Sequence, residues 1–440
     1  MPAMSGISVV ALFGAFAGAY FLSALLRAVT ATLAPVFSAE LGLRAADLGL
    51  LAGAFFFGFA AMQLPLGWAL DRFGPRRTLL VLLTVAVIGC LAFAQARGLA
   101  SLVLSRMLIG AGVAACLMAP LTSYRHWLTP TAQLRTNSWM LMTGSLGMVA
   151  STLPVQWLLP ALGWRGIFWV VAALLALAMA MVATLVPRDV PAAATPPQTR
   201  SAATPPRTRS AATPPNTGST ATPPQTRSAL DGSASAAAYR DIVRHPLFVR
   251  MAPAGFFFYG GMIAVQALWA GPWMTRVTGL EAAAAARGLF VINLAMLFTF
   301  MAWGAVMPRL AARGIDALRL MRLGLPLSLV LLLAGIVAGP AAGPWFWSAW
   351  CVACTFVSVS QPAVGAAFPK ALAGRALSAF NLVIFSGVFV VQWGIGLLID
   401  AVRAFGVSEA DAFRAAFAIF GLCSLVAYLW LLRTPSAGSR

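Results

Sequence analysis

Twelve apolar stretches, each long enough to cross a bilayer, follow one another along this 440-residue chain and leave it few ways to fold. They run from 8 to 36, 47 to 70, 78 to 96, 100 to 123, 136 to 158, 165 to 187, 247 to 275, 285 to 308, 316 to 338, 344 to 366, 376 to 399 and 411 to 433. A helix needs about 20 mostly apolar residues to span hydrocarbon. Because lipid offers no partner to a free backbone N–H or C=O, spanning segments are helices or closed barrels. These runs are too long and too evenly apolar for barrel strands. The expected class is all-α, a polytopic membrane protein with twelve transmembrane helices.

Sixty per cent of the residues are apolar and 9% are charged, which excludes an ordinary soluble domain. The formal charge of +19 invites a nucleic-acid reading, but the positive residues follow topology. With both termini placed in the cytoplasm and the central linker set aside, 14 Lys or Arg fall inside and seven outside. That is the positive-inside bias, and no nucleic-acid partner is expected. The N-terminus lacks a positive region before its first apolar run, so that run is expected to be a retained helix and not a removed signal. One lysine, Lys370, against 29 arginines suggests a GC-rich genome and a bacterial inner membrane.

Cys90, Cys116, Cys351, Cys354 and Cys423 all fall inside the apolar runs, so no disulfide framework is expected. Cys351 and Cys354 are read as small packing residues. Neither a metal nor a cofactor is expected.

Residues 194 to 229 repeat a nine-residue unit of the type ATPPQTRSA, rich in Pro, Thr and Ser. Such a segment cannot bury enough apolar surface to fold. It divides the chain into an N-terminal six-helix bundle (1–187), a flexible cytoplasmic linker (188–245) and a C-terminal six-helix bundle (246–440). Pro35, Gly42, Leu43 and Gly67 recur at an offset of 237 as Pro272, Gly279, Leu280 and Gly304. Parallel repeats with a site between them near the midplane are a secondary-transporter plan.

After the second run comes Gly67-x-x-x-Asp71-Arg72-x-Gly74-x-Arg76, which resembles the signature loop of the major facilitator superfamily. Arg106-x-x-x-Gly110-x-Gly112 resembles that family's second motif, and Gly163-Trp164-Arg165 fits its loop before the sixth helix. The resemblance covers essentially the whole chain and implies a secondary transporter working by alternating access, a functional monomer in a bilayer. It also implies that Asp71 meets the eleventh helix, near Gly374 and Arg375, as a latch with Gly67, Arg72, Gly74 and Arg76. A Gly at 67 would let the helices approach, and a carboxylate suits a helix N-terminus. Two departures stand out. Pro75 replaces a basic residue common in the family, and the fifth helix has Gly144, Gly147 and Pro154 without the Gly-Pro and Gly-Gly pattern of its drug antiporters.

Only Arg27 and Arg106 lie deep in apolar runs, and no Asp or Glu does. An Arg at a span centre costs roughly 2.5–3.5 kcal/mol on insertion scales and is usually functional. Tyr20, Ser23, Arg27 and Thr30 share one helix face by their three- and four-residue spacing. Arg27, eight residues before Pro35, also resembles an anion-binding Arg of the organophosphate:phosphate antiporter branch, whose second Arg is replaced here by Ala264. A guanidinium suits carboxylate or phosphate. Pairing with helix carbonyls, or reaching to an interface, is the other reading of Arg27. Arg106 is either near proton transfer, as the resemblance implies, or an anchor of packing. Tyr259, Met262, Gln266, Trp269 and Trp273 share one face of the seventh run, and Trp347, Cys351, Cys354, Ser358 and Gln361 one face of the tenth. With Asn381, Gln392 and Asn137 they are candidates to line a cavity or to glue helices.

No Gly-x-x-x-x-Gly-Lys loop is present to drive an ATP pump, and His126 and His245 lie in loops, away from any intramembrane acid, so an enzyme is not expected. The reading is gradient-driven movement of a small solute, an organic anion by virtue of Arg27, with protons as coupling partner. Proton-coupled efflux of apolar compounds is the alternative. Asp71→Asn is expected to shift the inward/outward balance and slow transport. Unchanged rates and an unchanged balance would remove the latch.

Overall fold

The computed structural model describes residues 9–127, 130–187 and 239–433. The ATPP repeats lie outside these residues. Among the described residues every regular element is helical. In chain order the membrane helices are α1 (Val9–Leu41), α2 (Ala45–Ala61 continued by Gln63–Phe73), α3 (Pro75–Gln95), α4 (Leu99–Val113 continued by Ala115–Trp127), α5 (Pro130–Ala150 and 153–162) and α6 (164–185). The second half comprises α7 (Pro246–Val277), α8 (Ala282–Ala312), α9 (Ala317–Ala338), α10 (Pro344–Ala366), α11 (Lys370–Arg403) and α12 (Glu409–Arg433).

Among the described residues eleven continuous helices are long and apolar enough to cross a membrane, with Trp139–Ala150 a shorter apolar one. The difference from twelve has a local cause. Pro154 has no N–H to return to Ala150, and α5 breaks at Ser151 and Thr152, leaving its last turns joined to α6. Gly163, at φ 62 and ψ 171, is the corner between the two spans. The repeat seen in the sequence has a structural counterpart at the ends of α1 and α7. Gly42 (φ 63) and Gly279 (φ 73) both adopt the left-handed conformation that lets glycine close a helix. One boundary moves: residues 239–244, assigned to the linker, are helical. Ile242 is fully buried there against the second half.

α1 starts and α12 ends on one face, the terminus face. The opposite, distal face is where the halves are pinned together. A Cβ at Gly49 of α2 would collide with the Gln392 carbonyl of α11, and one at Gly396 with the Ala45 carbonyl. One at Gly271 of α7 would stand 2.7 Å from the Ala31 carbonyl of α1. Small residues thus bring backbones together where lipid supplies no hydrophobic drive. Asp400, at the end of α11, accepts hydrogen bonds from the N–H groups of Ala45 (3.3 Å) and Ala46 (2.9 Å), two unpaired donors at the start of α2. At the terminus face, by contrast, a Cβ on Gly67 or Gly374 would meet nothing within 4 Å.

Asp400→Ala removes an interaction of the helix-capping kind, about 0.5–2 kcal/mol. It is expected to raise the population open at the distal face by roughly two- to thirty-fold. Spin labels at Arg44→Cys and Phe405→Cys read this as a longer distance component. Gly49→Val is expected to do the same more strongly.

Candidate functional site

Arg27 lies near the middle of the 33-residue α1 and is partly exposed inside the bundle. Its guanidinium carbon stands 5.5 Å from the Phe59 ring centroid on α2. Its Nε is buried without a hydrogen-bond partner. Ion pairs among the described residues join Arg44 to Asp47, Arg165 to Glu40, Arg276 and Arg403 to Glu409, and Arg414 to Asp411. All lie at helix ends on the distal face, and none includes Arg27. Its charge reaches Tyr20 and Cys116 in the first half and Tyr259 on α7 in the second. Phe59 in turn meets Phe385 of α11 edge-on at 4.6 Å. The site therefore has walls from both halves. Ser23, on the same α1 face, is buried with its hydroxyl against the Cys116 thiol.

Arg106 is different. Its side chain is 1% exposed, donates to the Leu26 carbonyl at 3.0 Å and to the Thr30 hydroxyl, and sits over the rings of Phe55 (5.3 Å) and Phe93 (5.9 Å). Both Arg106 and Thr30, candidates for substrate contact, are thus spent on joining α4 to α1. Gly110 and Gly112 seat α4 against Phe55 of α2 and Ala86 of α3, where an added Cβ would collide with backbone.

Three other candidates are enclosed by protein. Gln266 donates to Asn293 at 3.0 Å, and Trp269 donates to the Gln392 carbonyl at 3.0 Å. The Gln392 amide donates to the Ala264 carbonyl at 3.4 Å, and its own side-chain oxygen is buried without a donor. Met262, Trp273, Trp347, Cys351 and Cys354 are likewise buried. On α7 the helix departs from regular α geometry, although Trp269 and Trp273 still share a face and both meet Phe413 of α12. π-helical turns at Gly255–Tyr259, Val265–Trp269 and Trp273–Val277 each insert a residue, turning the following face by roughly 100°. Gln361 of α10 donates to Asn381 of α11, joining two half-exposed or nearly buried amides within the second half.

The signature-loop residues are scattered in this conformation. Gly74 takes φ 80, a turn that needs glycine. Arg72 lies over Trp68 (5.5 Å) and Phe73 (5.8 Å) of its own helix, Arg76 donates to the Ala183 carbonyl, and Arg375 is exposed. Close approach at Gly67, expected from the sequence, is absent because the seam between α2 and α11 is tight at the other end. The Asp71 side chain lies outside the described set. Sequence reasoning missed Phe59 and Phe385 as site walls and the role of Asp400. The crowded Phe55-Phe56-Phe57-Gly58-Phe59 run was a signal for the first, but nothing marked which ring would face Arg27.

The Major Facilitator Superfamily profile matches residues 16–391. The chain is 30% identical over 159 residues to a probable sulfoacetate transporter, SauU, of Cupriavidus necator, covering 35% of this chain and 36% of that protein. It is 30% identical over 141 residues to a cis,cis-muconate transport protein of Acinetobacter baylyi, covering 30% and 32%. The chain thus spans about a third of the length of these curated relatives. Among solved structures, a bacterial homologue of the human lysosomal transporter Spinster superposes with a TM-score of 0.70 at 16% identity, covering 97% of this chain and 98% of that one. A D-xylose–proton symporter does so at 0.70 and 14%, covering 97% of each.

Arg106→Gln is expected to lower Tm, since losing a hydrogen-bonded buried charge costs about 1.5–3 kcal/mol. An unchanged Tm with transport abolished would instead give Arg106 a direct part in translocation.

Proposed function

Because the chain belongs to the major facilitator superfamily, we propose that it is a gradient-driven carrier of a small organic anion, working by alternating access between its two six-helix halves. The observation that carries this is the Arg27 guanidinium, partly exposed between the halves at mid-span and free of any carboxylate among the described residues. A charge held in hydrocarbon without a partner is costly. A transported carboxylate or sulfonate supplies that partner, and the fork of Arg binds it with two donors. The relatives named for sulfoacetate and muconate are in keeping with an anionic cargo.

The halves supply the motion. Arg27 and Phe59 of one half stand beside Phe385 of the other, so a solute bound at Arg27 touches both bundles and responds to their rocking. Protons are the coupling partner in this reading. Asp71, Asp400 and Asp47 are the acids at the gates. The carrier acts as a monomer in a bacterial inner membrane, with both termini cytoplasmic, and moves its solute without chemical change. The signature-loop latch at Asp71 secures the terminus face when the distal face opens.

Purified protein in liposomes is expected to accumulate or exchange a labelled organic anion, and a protonophore to abolish the accumulation. Arg27→Ala removes a charge-assisted pair and is expected to weaken apparent affinity roughly 10- to 100-fold. Uptake of lipophilic cations that is indifferent to Arg27 would overturn the assignment and favour efflux of apolar compounds.

A further inference from the structure

We infer that the Arg27 site selects an organic anion bearing a single negative charge on a flat, unsaturated body. This narrows the anion-carrier reading above and rests on it. The charge count is the first argument. At mid-span Arg27 is the one guanidinium that the described contacts leave without an ion pair or hydrogen bond, since Arg106 is sealed against Leu26 and Thr30. The matching position on α7 is Ala264, which is buried and carries no charge. No described ion pair reaches the cavity. An empty site is therefore positive by one, a site holding a monoanion is neutral, and one holding a dianion is negative by one. Closing the halves over an uncompensated charge of either sign means taking it out of water, which is the dominant cost for ions inside proteins. Only the monoanion complex closes without that cost.

The shape argument is independent of charge. Phe59 lies under the guanidinium at 5.5 Å, Phe385 meets it edge-on at 4.6 Å, and Phe56 stacks on Phe385 at 6.2 Å with 15° between ring planes. Phe385, partly exposed, and the rim of Phe59 (8% exposed) thus offer aromatic surface from both halves beside the cation, with Phe56 packed behind them. An aromatic or conjugated body can lie on such a surface with offset or edge contacts beyond simple area burial. Tyr259, partly exposed on α7, supplies a polar hydroxyl from the opposite half within reach of the guanidinium's charge.

Thermal stabilisation of the purified full-length protein at about pH 7.5, where every carboxyl used is ionised, tests both parts. The probes are benzoate, cyclohexanecarboxylate, cis,cis-muconate and the uncharged benzamide. Benzoate is expected to half-saturate at roughly tenfold lower concentration than either cyclohexanecarboxylate or muconate, with no stabilisation by benzamide. Arg27→Gln is expected to lose the response. Arg27→Lys, which keeps the charge, should retain the preference for benzoate over muconate. Phe59→Leu should weaken benzoate about tenfold while leaving cyclohexanecarboxylate within about twofold. Ligand-free Tm values show that each variant is folded. Muconate binding as tightly as benzoate would overturn the single-charge assignment, and equal binding of cyclohexanecarboxylate would overturn the flat-body assignment. If no carboxylate stabilises the wild type while lipophilic cations do, the anion-carrier reading itself fails.

Discussion

The absence of water within the hydrocarbon layer forces this protein to satisfy its polar groups with its own atoms. For the backbone the result is a chain built of helices. The hydroxyls obey the same rule by bonding back to carbonyls one turn earlier, as Thr122, Ser123 and Ser424 do. At Arg106 the rule produces a sealed guanidinium bonded to Leu26 and Thr30. Both arginines keep a buried Nε without a partner, and what sets Arg27 apart is that it is partly exposed between the halves and has neither ion pair nor hydrogen bond among the described residues.

The same constraint explains how the halves are joined. Lipid tails are as apolar as leucine, so helix pairs associate through close backbone packing and polar contacts. The seam between α2 and α11 uses both, with Gly49 and Gly396 admitting the partner backbone and Asp400 capping the start of α2. These two helices run antiparallel, so the Asp400 contact and the signature loop lie at opposite ends of one seam. A rigid pair that rocks about its middle cannot be tight at both ends. The tight distal end and the open surroundings of Gly67 are two sides of one geometry.

Much of this was legible in the sequence because hydropathy acts through length. The bounds of α7, α9, α10 and α12 fall within a few residues of the apolar runs, and the repeat at Gly42 and Gly279 reports a real pair of helix ends. Side-chain direction was harder to read. On α1, a helix without π-helical turns, Tyr20 lies within reach of the Arg27 charge. On α7 three π-helical turns break the 3.6-residue period, and Trp269 and Trp273 end in packing. Contacts between halves, such as Phe59 with Phe385 or Asp400 with Ala46, join residues more than 300 positions apart and leave no local pattern.

Arg27 and Arg106 show why composition alone could not separate an anchor from a candidate site. Both are arginines in apolar helices, and each has five N–H donors to satisfy. Their difference lies in the neighbours. Arg106 faces a carbonyl and a hydroxyl of α1 and two aromatic faces, so its side chain is enclosed by groups of its own half. Arg27 faces the gap, where its neighbours are Phe59, Tyr20 and a tyrosine of the opposite half. A guanidinium enclosed by one bundle keeps its partners as the bundles rock, and so can serve only that bundle's stability. One placed between bundles changes its surroundings with every rocking motion, which is the property that couples binding of a charge to movement.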